Sequence, residues 1–194
     1  MYILLLDSSN TKLSVGVATS SQVIESISYE AWQQQSEFMV PEIDKLLSKR
    51  NIDPKEINRI IVSIGPGSYT GVRIALTIAK VMGLATNATI YPVSSLQIIK
   101  KGEHPSICLI NARSSRSYIG VYQQDKVILK DTIFTNEAVK EYISNHPEYS
   151  LCGDLRYLGL EGYEANVIEE MFSLKNQLTP LNSPLELKPV YLKD

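Results

Sequence analysis

The residues best suited to chemistry in this chain form a glycine-rich loop after an apolar run at 59–64. Gly65 and Gly67 let the backbone turn tightly or approach a ligand closely. Ser68 or Thr70 can cap a helix that follows the loop, and the backbone N–H groups at a helix start can hold an anion. The stretch therefore predicts either a phosphate-binding site or a tight turn that needs two glycines.

The loop follows neither of the common phosphate-binding patterns. No Lys-Ser or Lys-Thr pair stands at the spacing of a P-loop, and Thr70 occupies the position of the third glycine of a dinucleotide-binding loop. A phosphate site here would depend on backbone N–H groups alone, and the tight turn remains open as the alternative.

The helix after the loop carries a stripe of small residues. Gly71, Ala75, Ala79 and Gly83 recur at every fourth position, so they share one face of the helix. Small side chains on one face let another backbone come close. The stripe therefore predicts a tightly packed neighbour, and we interpret that neighbour as a partner.

The same helix is apolar over more of its surface than one contact requires. Arg73, Thr77 and Lys80 form its polar strip between residues 72 and 85, whereas a helix with one covered face needs only about a third of its surface apolar. We predict one face against the chain's own sheet and one against a second helix, from this chain or another. A fully internal helix is the alternative.

Metal and hydrolase chemistry is not predicted. His104 and His146 share no helix face and no ligand spacing, and no nucleophile elbow accompanies them. Cys108 and Cys152 lie in apolar runs and are expected to be small buried hydrophobes in a reducing compartment. With no signal peptide pattern and no apolar stretch of about 20 residues, we expect a cytoplasmic protein.

Length and charge restrict the class further. The 194 residues, of which 44% are hydrophobic, suffice for one large or two small domains with a real core. The net charge of −2 argues against a stand-alone nucleic-acid binder, which normally shows a basic face.

Hydrophobic periodicity predicts nearly the same order of elements twice. Three strands, a helix, a strand, a helix and a short strand are expected at 2–7, 13–18, 23–28, 36–49, 59–64, 71–85 and 89–93. After a linker, three strands, a helix, a strand and a shorter helical region are expected at 106–111, 118–123, 127–134, 136–144, 149–152 and 163–172. The two halves repeat a topology and share no obvious sequence similarity.

This order predicts an α/β protein with the actin-like ATPase fold. Three meandering strands followed by helix, strand and helix make a ribonuclease-H-like unit, and two such units in tandem make the actin-like architecture. We expect a first domain at 1–100 and a smaller second domain at 101–194, whose tail from residue 178 packs back on the first. In that architecture the first hairpin and later glycine turns hold nucleotide phosphates between the domains, but a fold does not establish a function.

Several stretches resemble the TsaB (YeaZ) family. The most specific is the loop and helix start at 65–74. The other matching stretches are 6–11, 14–17, 91–96, 111–113, Tyr118, 121–122 and 189–192. The resemblance therefore extends over nearly the whole chain.

The resemblance implies a non-catalytic partner and activator of TsaD, a larger paralogue, in forming N6-threonylcarbamoyladenosine at position 37 of tRNAs that read codons starting with A. It implies that the ATPase TsaE docks on the pair, that tRNA is met only through the complex, and that the isolated chain forms a homodimer. It implies no membrane contact and no tightly bound cofactor, with ATP or ADP at the complex interface. Because the family pairs through helices of the first domain, the expected interface is Gly71, Val72, Arg73, Ala75, Leu76, Ala79 and Gly83.

The residues of an active relative are incomplete here. Ser9 lies where active actin-like ATPases have a glycine, Gln35 where many family members have His, and Asn111 where an acidic residue is common. No catalytic residue and no metal site are therefore expected. A residual nucleotide or phosphate pocket is assigned to Asp7, Ser9, Asn10, Thr11, Gly65 and Gly67, with a plain strand-end turn as the alternative role of Asp7.

A small nucleotide-dependent enzyme of the sugar-kinase or acetate-kinase type is the alternative function. Asp7 would then position Mg²⁺ or act as a base, while Gly65 and Gly67 would face phosphate. The second half argues against this function, because about 90 residues leave little chain for an adenosine pocket in addition to a substrate site.

Overall fold

The computed structural model of this chain describes residues 1–124 and 126–192, so residue 125 and the last two residues of the predicted tail lie outside it. The strands are β1 (Tyr2–Asp7), β2 (Lys12–Ala18), β3 (Val23–Glu30), β4 (Ile57–Ser63), β5 (Thr89–Val93), β6 (Ser106–Arg113), β7 (Arg116–Gln123), β8 (Lys126–Thr135) and β9 (Ser150–Cys152). The helices are α1 (Gln35–Lys49), α2 (Tyr69–Thr86), α3 (Asn136–Ser144) and α4 (Val167–Ser173). The strands and helices predicted from periodicity are all present, with bounds that shift by a few residues.

The first sheet has five strands in the order β3-β2-β1-β4-β5. Strands β1, β2 and β3 form an antiparallel meander, whereas β4 pairs in parallel with both β1 and β5. Strand β1 is a nearly continuous apolar run and β4 is apolar from Ile60 to Val62, because hydrophobic clusters pack against both faces of the sheet. The carboxyl ends of β1, β4 and β5 meet at one edge, where the glycine-rich loop lies.

The second sheet repeats this arrangement with four strands in the order β8-β7-β6-β9. Strands β6, β7 and β8 form an antiparallel meander, and β9 pairs in parallel with β6. The order corresponds to β3-β2-β1-β4 of the first sheet. The predicted α/β fold, with a ribonuclease-H-like element order used twice, is therefore confirmed.

Helices α1 and α2 cover one face of the first sheet. Helix α1 buries Met39, Ile43 and Leu46, and α2 packs beside it with Val72 and Leu76 in the same hydrophobic cluster. None of the helices among the described residues has the length and apolar character needed to cross a membrane.

Helix α4 covers the opposite face of the first sheet. Its Ile168 and Met171 join a cluster with Ile3 and Leu5 of β1. The predicted boundary at residue 100 places α4 in the second domain. The structure corrects this assignment, because α4 packs on the first sheet. The apolar side of α4 is buried against β1 because neither face of a sheet this apolar can be left open to water.

The chain after α4 returns along the first unit. The backbone N–H of Leu181 donates to the carbonyl of Ile90 at 2.9 Å. Further on, the N–H of Val190 donates to the carbonyl of Ile64 at 2.8 Å. This segment therefore connects the end of the described chain to the edge of the sheet that carries the glycine-rich loop.

The small-residue stripe of α2 faces the first sheet. Ala75 and Ala79 are fully buried, and a Cβ atom added to Gly83 would lie 2.9 Å from the Ile90 side chain. The stripe brings the helix backbone close to the protein's own sheet. The expectation that these residues contact a partner is therefore wrong: Gly71, Val72, Ala75, Leu76, Ala79 and Gly83 are buried in the chain itself, and of the seven only Arg73 is exposed.

We expect Ala79→Arg to lower the free energy of unfolding by at least about 3 kcal/mol, because it forces a guanidinium into a fully packed contact. Thr77→Arg is the matched control, since Thr77 is exposed on the same helix; its effect should stay below about 0.5 kcal/mol. Urea unfolding followed by circular dichroism measures both values. Equal stability of the two variants would contradict the core position of the stripe.

Candidate functional site

A cleft with a volume of about 730 Å³ opens between the two units. The first unit contributes the β1–β2 turn, the segment before α1 and the start of α2. The second contributes β6, β7 and the segment after β9. The lining residues include Asn10, Thr11, Trp32, Gln35, Gly67 and Tyr69 from the first unit, and Asn111, Arg113, Tyr118, Asp154, Arg156 and Tyr157 from the second.

The β1–β2 turn is in direct backbone contact with the start of α2. The carbonyl of Ser9 accepts a hydrogen bond of 2.7 Å from the N–H of Ser68. A Cβ atom on Gly67 would lie only 2.1 Å from that carbonyl oxygen, so no other residue fits at this position without moving the backbone. We call this the turn–helix contact, and it leaves no space for a phosphate group between the two segments.

The other glycines of the loop serve the same packing. The Ser8 hydroxyl donates to the carbonyl of Gly71 at 2.7 Å, and a Cβ atom on Gly71 would lie 2.1 Å from the Ser8 carbonyl oxygen. Ser68 caps α2 by accepting a hydrogen bond from the Gly71 N–H at 3.2 Å. Gly65 has a φ of +99°, a conformation that other residues rarely adopt. The geometry therefore favours the tight turn over the phosphate-binding loop.

Asp7 ends β1 beneath this turn and is buried. Its Oδ1 atom accepts hydrogen bonds from the Ser9 backbone N–H, at 3.1 Å, and from the Ser63 hydroxyl. Burial raises the pKa of the Asp7 carboxyl above its ordinary value of 3.8, although the bonds from Ser63 and Ser9 act in the opposite direction. The side chain connects β1, β4 and the turn, which is the structural role left open by the sequence.

The six residues assigned to a residual nucleotide pocket do not lie together on the cleft. Asn10, Thr11 and Gly67 line it, whereas Asp7, Ser9 and Gly65 are buried behind it. The turn–helix contact uses the Ser68 N–H, so this donor at the start of α2 is not available to a nucleotide phosphate. Within the described ranges, no three His, Cys, Asp or Glu side chains are placed to hold a metal ion.

Gln35 connects α1 to the same turn. It is the first residue of α1 and only 4% exposed. Its Nε2 donates to the carbonyls of Asn10, at 2.9 Å, and Thr11, at 3.4 Å. Gln35 therefore fixes the turn through the backbone and still borders the cleft.

The aromatic and cationic side chains of the cleft are not predictable from the sequence alone. Trp32, Tyr69, Tyr118 and Tyr157 come from four separate segments, so no local spacing connects them. Arg113 belongs to one of the stretches that resemble the family, but its position on a cleft could not be deduced from one sequence. The fold brings these side chains together by placing the ends of both sheets opposite each other.

Tyr69 is part of a surface cluster with the C-terminal segment. Its ring stacks on that of Tyr191, with centroids 5.2 Å apart. Arg73 donates to the Tyr69 hydroxyl at 2.7 Å, and its guanidinium lies 5.1 Å from the centre of the same ring. The described end of the chain thereby holds one ring of the cleft rim in place.

A second polar group connects the two units away from the cleft. Asp131 of β8 accepts hydrogen bonds from Ser94, at 2.5 Å, and from the Tyr122 hydroxyl. Burial raises the pKa of the Asp131 carboxyl, although both hydrogen bonds act in the opposite direction. A Cβ atom on Gly120 would lie 2.6 Å from the carboxylate, so glycine provides the space for it. We call this group the Ser94–Asp131 bridge.

Comparison with known proteins identifies relatives of the chain. The family model described as TsaD, tRNA N6-adenosine threonylcarbamoyltransferase, matches residues 23–148. The protein of Bacillus subtilis (strain 168) named tRNA threonylcarbamoyladenosine biosynthesis protein TsaB is 31% identical over 137 residues, which are 69% of this chain and 60% of that protein. The match thus spans less than two thirds of this relative.

Two further comparisons cover the full length. A protein of Mycoplasma genitalium named Uncharacterized protein MG208 is 28% identical over 198 residues, covering 100% of this chain and 95% of that protein. The solved structure titled YeaZ from Pseudomonas aeruginosa superposes with a TM-score of 0.82 at 20% identity, covering 98% of this chain and 99% of that one. The structural likeness confirms the fold.

We expect Asp7→Asn to remove part of the pH dependence of stability. A carboxyl with a raised folded pKa stabilises the fold fully below its ordinary value of 3.8, and this stabilisation is lost as the pH rises through the folded pKa. The asparagine oxygen can accept both hydrogen bonds that Oδ1 accepts. Wild-type stability should therefore fall relative to Asp7→Asn between acidic and neutral pH, as measured by urea unfolding at several pH values.

The exposed Asp44 of α1 provides the control, because Asp44→Asn changes the same charge at the surface. A difference between wild type and Asp7→Asn that stays constant with pH would contradict the raised pKa of Asp7.

Proposed function

This chain belongs to the TsaB family, and on that basis we propose that it is a non-catalytic partner and activator of TsaD. The reaction is formation of N6-threonylcarbamoyladenosine at position 37 of tRNAs that read codons starting with A. The name of the Bacillus subtilis relative refers to this biosynthesis, and the matching family model describes the transferase itself. The role of this chain in the complex is to shape and hold the transferase.

The turn–helix contact is the observation that carries the non-catalytic role. An enzyme that holds phosphate at this glycine-rich loop, including a kinase of the sugar or acetate type, needs free backbone N–H groups at the start of α2. Here the Ser9 carbonyl accepts a hydrogen bond of 2.7 Å from the Ser68 N–H, and Gly67 packs directly against the same carbonyl. Helix α1 also contains no histidine that could ligate a metal.

The outer face of α2 is the surface that we propose for the partner. Its inner face packs against the chain's own sheet. Its outer face carries exposed residues at helical spacing, namely Thr70, Arg73, Thr77, Val81 and Leu84. Val81 is 60% exposed and Leu84 51%. Apolar side chains that are this exposed and adjacent are typical of an interaction surface.

A partner with the same fold fits this surface. Two related chains can pair through the same helix with approximate two-fold symmetry, and two copies of one chain can pair with true two-fold symmetry. We therefore propose that this stripe pairs with TsaD, and with a second copy of the chain when TsaD is absent. In this proposal TsaE docks on the pair, ATP or ADP binds at the complex interface, and the complex works on tRNA in the cytoplasm.

We expect Val81→Arg to abolish the mixed complex with TsaD while leaving the chain folded, because a charged side chain cannot be buried in an apolar helix contact without a partner. Light scattering on a sizing column measures the mass of the chain with and without TsaD from the same source. Wild type should show a mixed complex and Val81→Arg should show separate chains.

Val127→Arg is the matched control. Val127 is 51% exposed on β8 in the second unit, so the same substitution is made outside the proposed interface and the complex should persist. The absence of any mixed complex with wild-type chain would overturn the proposed function. Loss of the complex in both variants would overturn the position of the interface.

A further inference from the structure

We propose that the cleft between the two units binds an unstacked nucleotide of single-stranded RNA. The proposal rests on the proposed function for the presence of RNA, and on the cleft for the position of the contact. The cleft volume of about 730 Å³ lies within the range of about 300–1,000 Å³ found for small-ligand sites.

The cleft carries aromatic rings on which a base can stack. Trp32, Tyr69, Tyr118 and Tyr157 all line the cleft, and Trp32 and Tyr69 are 45% and 61% exposed. An exposed ring offers an extracted base a stacking surface without selecting its sequence.

Two of these rings are held in place before any ligand binds. The Tyr157 hydroxyl is hydrogen-bonded to that of Ser117 at 2.7 Å. Tyr69 is stacked on Tyr191 and bound by Arg73. Rings that are fixed in advance lose little conformational entropy when a base stacks on them.

Two arginines line the cleft, and one of them has no acidic partner among the described residues. Arg156 is neutralised by Asp154, with 2.5 Å between Nη2 and Oδ2. The guanidinium of Arg113 has no acidic partner within the described part of the chain and borders the same cleft. Arg113 therefore leaves one uncompensated positive charge at the cleft, and one cation matches the single phosphate of one nucleotide in a strand.

Two side-chain amides on the cleft lining can form hydrogen bonds with a base. Gln35 uses its Nε2 on two backbone carbonyls, so its amide oxygen remains as an acceptor on the cleft lining. Asn111, from the opposite side of the cleft, is exposed. Amides of this kind read the donor and acceptor edge of an unpaired base.

Free ATP or ADP matches the cleft less well than RNA does. A di- or triphosphate needs several cations or a loop of free N–H groups, and the turn–helix contact has closed that loop. A nucleotide within a strand brings one phosphate for Arg113, and its neighbours can extend along the open cleft.

The chain carries its own reporter for this test, because Trp32 is its single tryptophan and lines the cleft. We would titrate the full chain, alone and in the mixed complex, with a short RNA hairpin that has a single-stranded loop. Trp32 emission reports binding to the isolated chain, and anisotropy of labelled RNA reports binding to the complex. We expect the hairpin to quench Trp32, and the same RNA annealed to its complement to have little effect.

Arg113→Gln tests the position. Residue 113 has a φ of +65°, a conformation that glutamine adopts about as readily as arginine, and the substitution removes the positive charge together with the guanidinium donors. We expect RNA affinity to fall about fivefold, and the slope of log affinity against log salt concentration to decrease by about 0.7. Lys140→Gln removes the same charge from the exposed side of α3 and should change neither quantity.

The outcomes separate this proposal from the function on which it rests. RNA that binds without quenching Trp32 and without sensitivity to Arg113→Gln lies elsewhere and overturns the cleft assignment. No RNA binding by either sample, or quenching by ATP and Mg²⁺ alone, also overturns it. In each of these cases a mixed complex with TsaD that still forms leaves the partner role intact, whereas its absence overturns the proposed function.

Discussion

The geometry of the first unit depends on one backbone contact, between the turn after β1 and the start of α2. The carbonyl of Ser9 meets the N–H of Ser68, and Gly67 permits the approach. This contact orients the end of β1 against the helix, so Asp7 can reach both Ser63 and the turn. The loop therefore has the glycines of a ligand-binding loop and uses them to pack backbone against backbone.

The same physical requirement explains α2. A helix can approach a sheet closely only where its side chains are small, and Ala75, Ala79 and Gly83 provide that closeness to the first sheet. Once the inner face is committed, the exposed Val81 and Leu84 remain for contacts outside the chain. Packing inside the unit thus determines which surface is available for a partner.

Sequence patterns predicted most of the fold because buried strands and helices leave long apolar signals. The runs at β1 and β4 and the periodicity of α1 are examples. The predicted orientation of the small-residue stripe of α2 is wrong. Small residues permit close packing against the chain's own sheet and against a partner alike, so the sequence does not distinguish the two. The cleft rings could not be found either: Trp32 and Tyr157 are far apart in the chain and adjoin the same cavity only after both sheets have formed.

The Ser94–Asp131 bridge has a consequence for motion. Ser94 belongs to the segment that connects the two units, between β5 and β6. Here that segment is fastened to β8 through Ser94 and Asp131, and the returning chain is hydrogen-bonded to the first unit through Val190. Both hydrogen bonds would have to break or rearrange before the units could change their relative position. Contacts that are already made in the free chain add no ordering cost when another molecule binds to it.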